Sequence, residues 1–264
     1  MNLWWLLVCF AVFFIGIAKS GFGSGVGLLI VPMMALALSH TSYRLEAALG
    51  VLLPLLIVGD LIAIWQYRHL FSLSIVKKLL PSTAIGVVIG SLMLAWFHKH
   101  DQDVAAALIK TEIGLESVAL VALHFYRVYR GQRELYVPKP LHNHLVGGAA
   151  AISSTMAHAA GPIIGLYLLP QKLDRQLFVG TCAIYFGILN NAKVPGYFLA
   201  GQLSMSLFWL SLKLLPLVFV GAASGFWLNK RMTDRIFSNI VFGVTFTLGL
   251  YLVYNGLTTL RIVW

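Results

Sequence analysis

The sequence predicts an all-α integral membrane protein made of two inverted repeats, each a broken or re-entrant helix pair followed by three transmembrane helices. Composition is the first observation behind this prediction. Of 264 residues, 59% are hydrophobic and only 11% are charged, and the mean hydropathy is +0.85. Soluble domains carry about 25% charged residues, so this composition excludes a soluble protein. The other two observations are a series of ten apolar runs and a motif that occurs twice.

Ten apolar runs separated by polar connections predict the helices. They fall at residues 3–18, 26–38, 46–65, 79–97, 104–124, 145–157, 162–170, 177–199, 210–228 and 236–256. The second and seventh runs, of 13 and 9 residues, correspond to roughly 20 Å and 14 Å of helix, which is too short to cross a hydrocarbon core of about 30 Å. These two runs therefore predict half-membrane or re-entrant segments.

One motif, Lys-Leu-Leu-Pro followed by a glycine after four residues and another after three more, occurs once in each half of the chain. It begins at Lys78 in the first half and at Lys213 in the second. Its glycines are Gly86 and Gly90 in the first copy and Gly221 and Gly225 in the second. Glycines four apart lie on one face of a helix and permit the close approach of a neighbouring helix. The repeated order of elements divides the chain into a first membrane repeat at 1–124, a connector at 125–144 and a second membrane repeat at 145–264.

The distribution of lysine and arginine predicts the orientation in the membrane. If each repeat crosses the bilayer an odd number of times, twelve basic residues fall on one side and four on the other. The larger group is Arg68, Lys77, Lys78, Arg127, Arg130, Arg133, Lys139, Lys172, Arg175, Lys230, Arg231 and Arg235; the smaller is Arg44, Lys99, Lys213 and Arg261. Because basic residues are enriched in cytoplasmic loops, the connector is predicted to be cytoplasmic and both termini periplasmic. Charge counting does not distinguish six spans plus two hairpins from ten spans.

Each short run follows a break that is rich in small residues. The first break contains Gly23, Ser24 and Gly25 before a predicted half-helix at Val26, and the second contains Ser154, Thr155, Ala160 and Gly161 before one at Pro162. A new helix N-terminus has unpaired N–H groups and a partial positive charge, which favours an anion. Paired breaks in inverted repeats are the sequence pointer to a substrate site near the midplane. Tight turns within helical hairpins are the alternative interpretation.

Two lysines lie inside or beside apolar runs, where a charge is costly and is a functional candidate by default. Lys19 lies at the first break, and Lys193 lies in the long run after the second break, close to Asn190 and Asn191. Either ammonium group is a candidate counter-charge for a substrate anion, with the asparagines as hydrogen-bond donors. The alternatives are snorkelling of Lys19 to a surface and helix stabilisation by the asparagines. Pro195 after Lys193 predicts a local disruption of the helix.

Three carboxylates in apolar runs are candidates for proton coupling. Asp60 lies well inside the run at 46–65, and Glu112 and Glu116, being four apart, share one helix face. A carboxylate in a low dielectric favours its protonated form and can take up a proton during transport. Structural pairing with Lys110 or Lys19 is the other interpretation, and the sequence does not choose between them.

His158 is the remaining polar group at the second break, and it is interpreted either as a ligand of the anion or as a hydrogen-bonded packing residue. The histidines near residues 98–100 and 142–144 lie in polar segments without the spacing of a known metal site, so no metal and no cofactor is expected. No P-loop, G-x-S-x-G or H-E-x-x-H motif is present, so no enzymatic activity is expected. The basic residues lie between apolar runs rather than in a patch, so nucleic acid is not an expected partner.

Several segments together resemble the TauE/SafE sulfite-exporter family. They are the glycine-rich opening before Leu28-Leu29-Ile30-Val31-Pro32, Gly59-Asp60 through Tyr67-Arg68-His69, Leu80-Pro81 to Gly90, and Gly180-Thr181 to Asn190-Asn191-Ala192-Lys193 with Tyr197. The resemblance implies a permease for small sulfur-containing anions such as sulfite, thiosulfate or organosulfonates in a bacterial inner membrane. The second break departs from the pattern, since larger side chains stand at 157–160 where a richer glycine run is usual.

The sequence therefore predicts a secondary transporter that works by alternating access, with a small anionic substrate and membrane lipid as its partners. An anion channel and a membrane assembly protein without a transported ligand are the competing hypotheses. The identity of the anion, the direction of transport, the coupling ion and the presence of a homo-oligomer are left open.

Overall fold

The computed structural model describes residues 3–22, 27–40, 47–99, 138–168 and 171–229, together with 249–260 and shorter stretches between 107 and 129 and at 246–247. All elements within these ranges are helical. They are α1 (Leu3–Ile17), a π-helical segment (Ala18–Phe22), α2 (Gly27–Ser39), α3 (Ala47–Gln66), α4 (Leu73–Lys99), α5 (Pro140–Ala157), α6 (Ala160–Leu168), α7 (Arg175–Leu199) and α8 (Met205–Asn229). The all-α prediction is confirmed for these residues.

Five helices are long and apolar enough to cross a membrane. They are α1 with the π segment (Leu3–Phe22), α3, α4 up to Trp96, α7, and α8 up to Leu228. Of the residues in the most apolar stretch of each helix, 67% are buried in α3 and 61% in α7, against 33–44% in the other three helices. Helices α3 and α7 are therefore the most central of the five. The two runs predicted to be short are short helices, α2 with 13 residues and α6 with 9.

Several helix boundaries differ from the predicted ones. Helix α6 begins at Ala160 and not at Pro162, because a proline is tolerated anywhere in a first turn whose N–H groups have no partner within the helix. Helix α5 begins at Pro140, inside the predicted connector 125–144, because the helix extends past the apolar core with its proline at the first position. The predicted runs at 104–124 and 236–256 lie largely outside the described residues.

The glycines of the repeated motif make the same contact twice, with the two halves exchanged. A Cβ added at Gly86 in α4 would lie 2.6 Å from the carbonyl oxygen of Gly148 in α5, and one added at Gly221 in α8 would collide with the carbonyl oxygen of Phe13 in α1. Along the chain, Gly148 follows Phe13 at the same spacing at which Gly221 follows Gly86. Each motif helix thus packs against the first helix of the other half, at a distance that only glycine permits.

Helices α3 and α7 cross the centre of the molecule in opposite directions. Asp60, six residues before the end of α3, contacts Asn190 near the middle of α7, whereas Tyr67, directly after α3, packs against Gly180 near the start of α7. Residue numbers therefore rise along α3 while they fall along α7. One apolar cluster is formed mostly by α1, α2 and α3, and a second is formed mostly by α4 to α7.

Candidate functional site

The first helix of each half, α1 and α5, loses its regular α-helical geometry at the place in the chain where the sequence predicts a break. In the first half, α1 widens into the π segment Ala18–Phe22, a feature that is frequent at functional sites. In the second half, α5 ends at His158, which has left-handed backbone angles (φ 51°, ψ 26°) and donates its N–H to the carbonyl of Ser154. A histidine is strained in this conformation, so the surrounding contacts must hold it there.

A tyrosine from the third helix of each half holds the break of the same half. The Tyr67 hydroxyl donates to the Ser20 carbonyl at 2.9 Å, and the Tyr197 hydroxyl donates to the Thr155 carbonyl at 2.7 Å. The two acceptors are separated along the chain by the same offset as the two copies of the glycine motif, and the two tyrosines by nearly the same offset. Carbonyls at a helix end have lost their helical partner and need another one away from water. These two hydrogen bonds supply it at equivalent places.

The first break carries a buried ion pair. Lys19 Nζ lies 2.6 Å from Asp60 Oδ1, and Asn190 Nδ2 donates to Asp60 Oδ2 at 2.6 Å. The side chain of Asp60 is fully buried, and that of Lys19 is 13% exposed with its ammonium 4.6 Å from the centre of the Phe186 ring. Each carboxylate oxygen of Asp60 thus has a neighbour, Lys19 of the first half at Oδ1 and Asn190 of the second half at Oδ2. In the structure Asp60 is paired with Lys19, while Lys110, the other candidate partner, lies outside the described residues.

The second break carries a buried cation whose neighbours are neutral. Lys193 is fully buried, and its ammonium donates to the carbonyl and the hydroxyl of Ser154, both at 3.0 Å, and to His158 Nδ1 at 2.9 Å. The Tyr197 ring lies 5.7 Å from the same nitrogen. Three acceptors satisfy the three ammonium hydrogens, but none of them carries a negative charge.

His158 connects the second break to the first half. Its Nδ1 faces an ammonium and must accept, which assigns the ring proton to Nε2, where it is donated to the Leu49 carbonyl on α3 at 3.1 Å. His158 is therefore neutral in this arrangement. Its hydrogen bonds agree with the packing interpretation, and they also explain how its strained backbone is held.

Lys19, Asp60, Asn190, Lys193 and His158 form one buried polar layer. When both lysines are protonated, they contribute two positive charges to this layer and Asp60 removes one, and Lys193 lies within electrostatic range of both other groups. The hydroxyls of Ser20 and Ser153, which are the chain neighbours of Lys19 and Ser154, are buried and have no hydrogen-bond partner among the described residues. An unpaired charge in a low dielectric is costly unless a counter-ion lies nearby.

The remaining predicted site residues are placed as follows. Asn191 is exposed and donates to the Gly187 carbonyl of its own helix, since neighbouring residues of a helix face directions about 100° apart. Thr155 similarly donates its hydroxyl to the carbonyl of Ala151. Ala160 and Gly161 form the first turn of α6, next to His158. The predicted residues Gly23, Ser24, Gly25, Glu112 and Glu116 lie outside the described residues.

Two further expectations concern helix α7 and metals. Helix α7 continues through Pro195 to Leu199, so the proline does not end the helix, although it removes one backbone hydrogen bond from it. In the described ranges, no three His, Cys, Asp or Glu side chains are grouped as a metal site would require.

The sequence did not single out the Leu49 carbonyl, and it singled out Tyr67 and Tyr197 only through the family resemblance.

Comparison with known proteins gives one match. A family model described as "Sulfite exporter TauE/SafE" matches residues 8–252, which is nearly the whole chain. Searches among curated proteins and among solved structures returned no match.

Proposed function

This chain belongs to the sulfite exporter TauE/SafE family, a family of membrane transporters, and we propose that it is a secondary permease of small sulfur-containing anions such as sulfite, thiosulfate or organosulfonates. The observation that carries the proposal is the buried excess of positive charge between the two halves. Among the described residues, no carboxylate contacts the Lys193 ammonium, whereas Lys19 is paired with Asp60, which also accepts a hydrogen bond from Asn190. A compact oxyanion supplies the missing negative charge, and its oxygens accept hydrogen bonds from the free hydroxyls of Ser20 and Ser153.

The position of the charged layer supports transport by alternating access. Gly50 in α3 packs against the Gln202 carbonyl and Gly180 in α7 against the Leu70 carbonyl, each so closely that a Cβ would collide. Each glycine lies ten residues before the polar residue of its helix, Asp60 or Asn190, which is roughly 15 Å of helix. The layer thus lies about midway between two matching contacts, and opening either one exposes it to one side. The opposite directions of α3 and α7 support the inverted repeat.

The distribution of basic residues supports an orientation for these two contacts. Arg68, Lys77 and Lys78 flank the contact between Gly180 and Leu70, so we place that contact at the cytoplasmic face and the one between Gly50 and Gln202 at the periplasmic face of a bacterial inner membrane. Both termini are then periplasmic.

The test is flux of radiolabelled thiosulfate into proteoliposomes. Replacing both Lys19 and Lys193 by Met removes the attraction for the anion, and the loss of a buried charge partner costs about 2–5 kcal/mol, so we expect uptake at subsaturating substrate to fall at least about 30-fold. Lys213→Met, which removes an exposed lysine of α8, is the matched control and retains uptake.

Two other outcomes contradict the proposal. Unchanged uptake in the double variant shows that the two lysines do not attract the substrate. Wild-type uptake that fails to saturate with thiosulfate indicates a channel, because a carrier has a limited number of sites that must reorient in every cycle.

A further inference from the structure

We infer that Asp60 is the proton-binding group of this transporter, and that its protonation frees Lys19 for the substrate, so that proton and anion bind together. The inference rests on the proposed function and adds the coupling ion to it. Three observations lead to it: the ion pair at the first break, the lack of any carboxylate among the described residues at the second, and the contact of Asp60 with both halves.

The ion pair sets the substrate and Asp60 in competition. While Asp60 is ionised, its carboxylate lies 2.6 Å from the Lys19 ammonium and neutralises that charge. Only the charge of Lys193 then attracts the substrate anion. When Asp60 takes up a proton, the neutral carboxyl still accepts from Asn190, but the charge of Lys19 becomes uncompensated. A buried ammonium without a counter-ion is costly, and a substrate oxygen restores the balance. Binding of a proton to Asp60 therefore favours binding of the substrate anion, and binding of the anion favours binding of the proton.

The charges around Asp60 are few. The π segment contributes Lys19, α7 contributes Lys193 and Cys182, and His158 reaches the same region from the second break. Helix α2 has no titratable side chain, Cys9 of α1 lies ten residues before Lys19, and Lys213 of α8 is exposed. Besides Asp60, the acidic residue that the described ranges contain is Asp174, which is exposed at the start of α7. Within these ranges Asp60 alone offers a carboxylate at the layer.

The charge balance selects the type of substrate. The layer carries a net charge of about +1 with Asp60 ionised and about +2 with Asp60 protonated, counting Lys19 and Lys193 as charged and His158 as neutral. A dianion and one proton together then leave no net charge in the occupied site. A monoanion leaves the protonated site with one excess positive charge. We therefore expect a dianion such as thiosulfate to bind together with a proton.

The contact between Asp60 and Asn190 links protonation to movement. Asp60 belongs to the first half and Asn190 to the second, and they meet near the middle of the antiparallel pair α3 and α7. An ionised carboxylate accepts more strongly from the amide than a neutral carboxyl does. Protonation therefore loosens one of the contacts between the halves at the level of the substrate.

The experiment measures thiosulfate binding to the purified full-length protein between pH 5.5 and 8.5. Thiosulfate remains a dianion over this range, so that any pH dependence belongs to the protein. For one proton bound per anion, linkage gives an affinity that rises by up to about tenfold for each unit of decreasing pH. We expect this slope in the wild type, and a flat profile in Asp60→Asn, in which Lys19 is free at every pH. Asp174→Asn is the matched control and keeps the wild-type slope.

A second measurement needs no variant. Adding thiosulfate to the wild-type protein in weakly buffered solution with a pH indicator should cause uptake of up to about one proton per anion bound. Absence of proton uptake in the wild type, or a wild-type slope retained in Asp60→Asn, overturns the inference while leaving anion transport intact. A wild-type protein that neither binds nor transports any sulfur anion overturns the proposed function and this inference with it.

Discussion

The two helix breaks have equivalent backbone supports but different charges. At each, a tyrosine of the third helix donates to a carbonyl at the end of the first helix. In the first half the break carries the cation, Lys19, and the third helix carries an acid; in the second half the third helix carries the cation, Lys193, and the break offers only neutral acceptors. The charge at the first break is paired with a carboxylate, whereas the charge at the second has no carboxylate to cancel it among the described residues.

This difference assigns different tasks to equivalent positions. Ser154, the acceptor of Lys193, occupies the place in the second repeat that Lys19 occupies in the first, because the two are separated by the same offset as the two copies of the glycine motif. The repeated framework keeps equivalent backbone contacts in both halves, while the residues within it do not need to stay symmetric. In the mechanism proposed above, Lys193 attracts the anion at every pH, and protonation of Asp60 controls the charge of Lys19.

The largest expected effect comes from removing the two lysines one at a time. Lys19→Met leaves Asp60 as an unpaired buried charge, which costs about 3–5 kcal/mol of folding free energy at neutral pH. Lys193→Met leaves only neutral acceptors without a donor, which costs about 1–3 kcal/mol. Thermal unfolding in detergent measures both, and adding Asp60→Asn to Lys19→Met should restore most of the loss. Equal losses in the two single variants, without rescue, would remove the asymmetry described here.

A smaller effect is expected from the two close glycine contacts. Gly180→Ala forces the Leu70 carbonyl away and should open the cytoplasmic side, whereas Gly50→Ala should open the periplasmic side, each by about 1–3 kcal/mol or roughly 5- to 150-fold in population. Cys182 is fully buried near the charged layer, so in a Cys9→Ser background its labelling by an impermeant maleimide reports access. Labelling from the cytoplasmic side should rise in Gly180→Ala and not in Gly50→Ala; the reverse pattern contradicts the assigned orientation.

The smallest effect is expected from the tyrosine hydroxyls. Tyr67→Phe and Tyr197→Phe each remove one hydrogen bond to a buried carbonyl, worth about 1 kcal/mol, so both should lower stability to a similar extent. Transport should respond unequally, because Tyr197 also lies beside Lys193 and His158. The Tyr67 hydroxyl donates to the Ser20 carbonyl of the break and lies within electrostatic range of Arg175, away from Lys193. Unfolding and flux measured on the same preparations separate the two effects, and a larger flux defect in Tyr67→Phe would contradict this interpretation.

Local patterns in the sequence predicted the framework because they depend on local physics. Runs of apolar residues predict helices, and the small residues around Ser154 and His158 predicted the second break. Ending a helix within a membrane leaves backbone groups unpaired, so it occurs where the local sequence and its neighbours accommodate them. The glycines of the repeated motif were predicted to be packing positions, and Gly86 and Gly221 are confirmed as such. Because a charge inside an apolar run is costly in a membrane, the sequence identified Lys19, Asp60 and Lys193 as candidate functional residues. It did not decide which groups their side chains contact.

The partners depend on how distant segments meet, which no local pattern encodes. Asp60 had candidate partners in Lys110 and Lys19, and only the approach of α3 to the π segment distinguishes between them. Asp60 and Asn190 lie in different halves of the chain, as do His158 and the Leu49 carbonyl. A backbone acceptor such as Leu49 has no signature in its side chain, so the sequence could not indicate it.

The exchange of packing helices between the halves has a consequence for biogenesis. Because α4 packs against α5 and α1 packs against α8, the close glycine contacts of the first repeat are made with helices of the second repeat, which is synthesised later. We therefore expect that neither repeat reaches its native packing by itself. A chain divided within the connector should assemble only when both fragments are synthesised in the same cell.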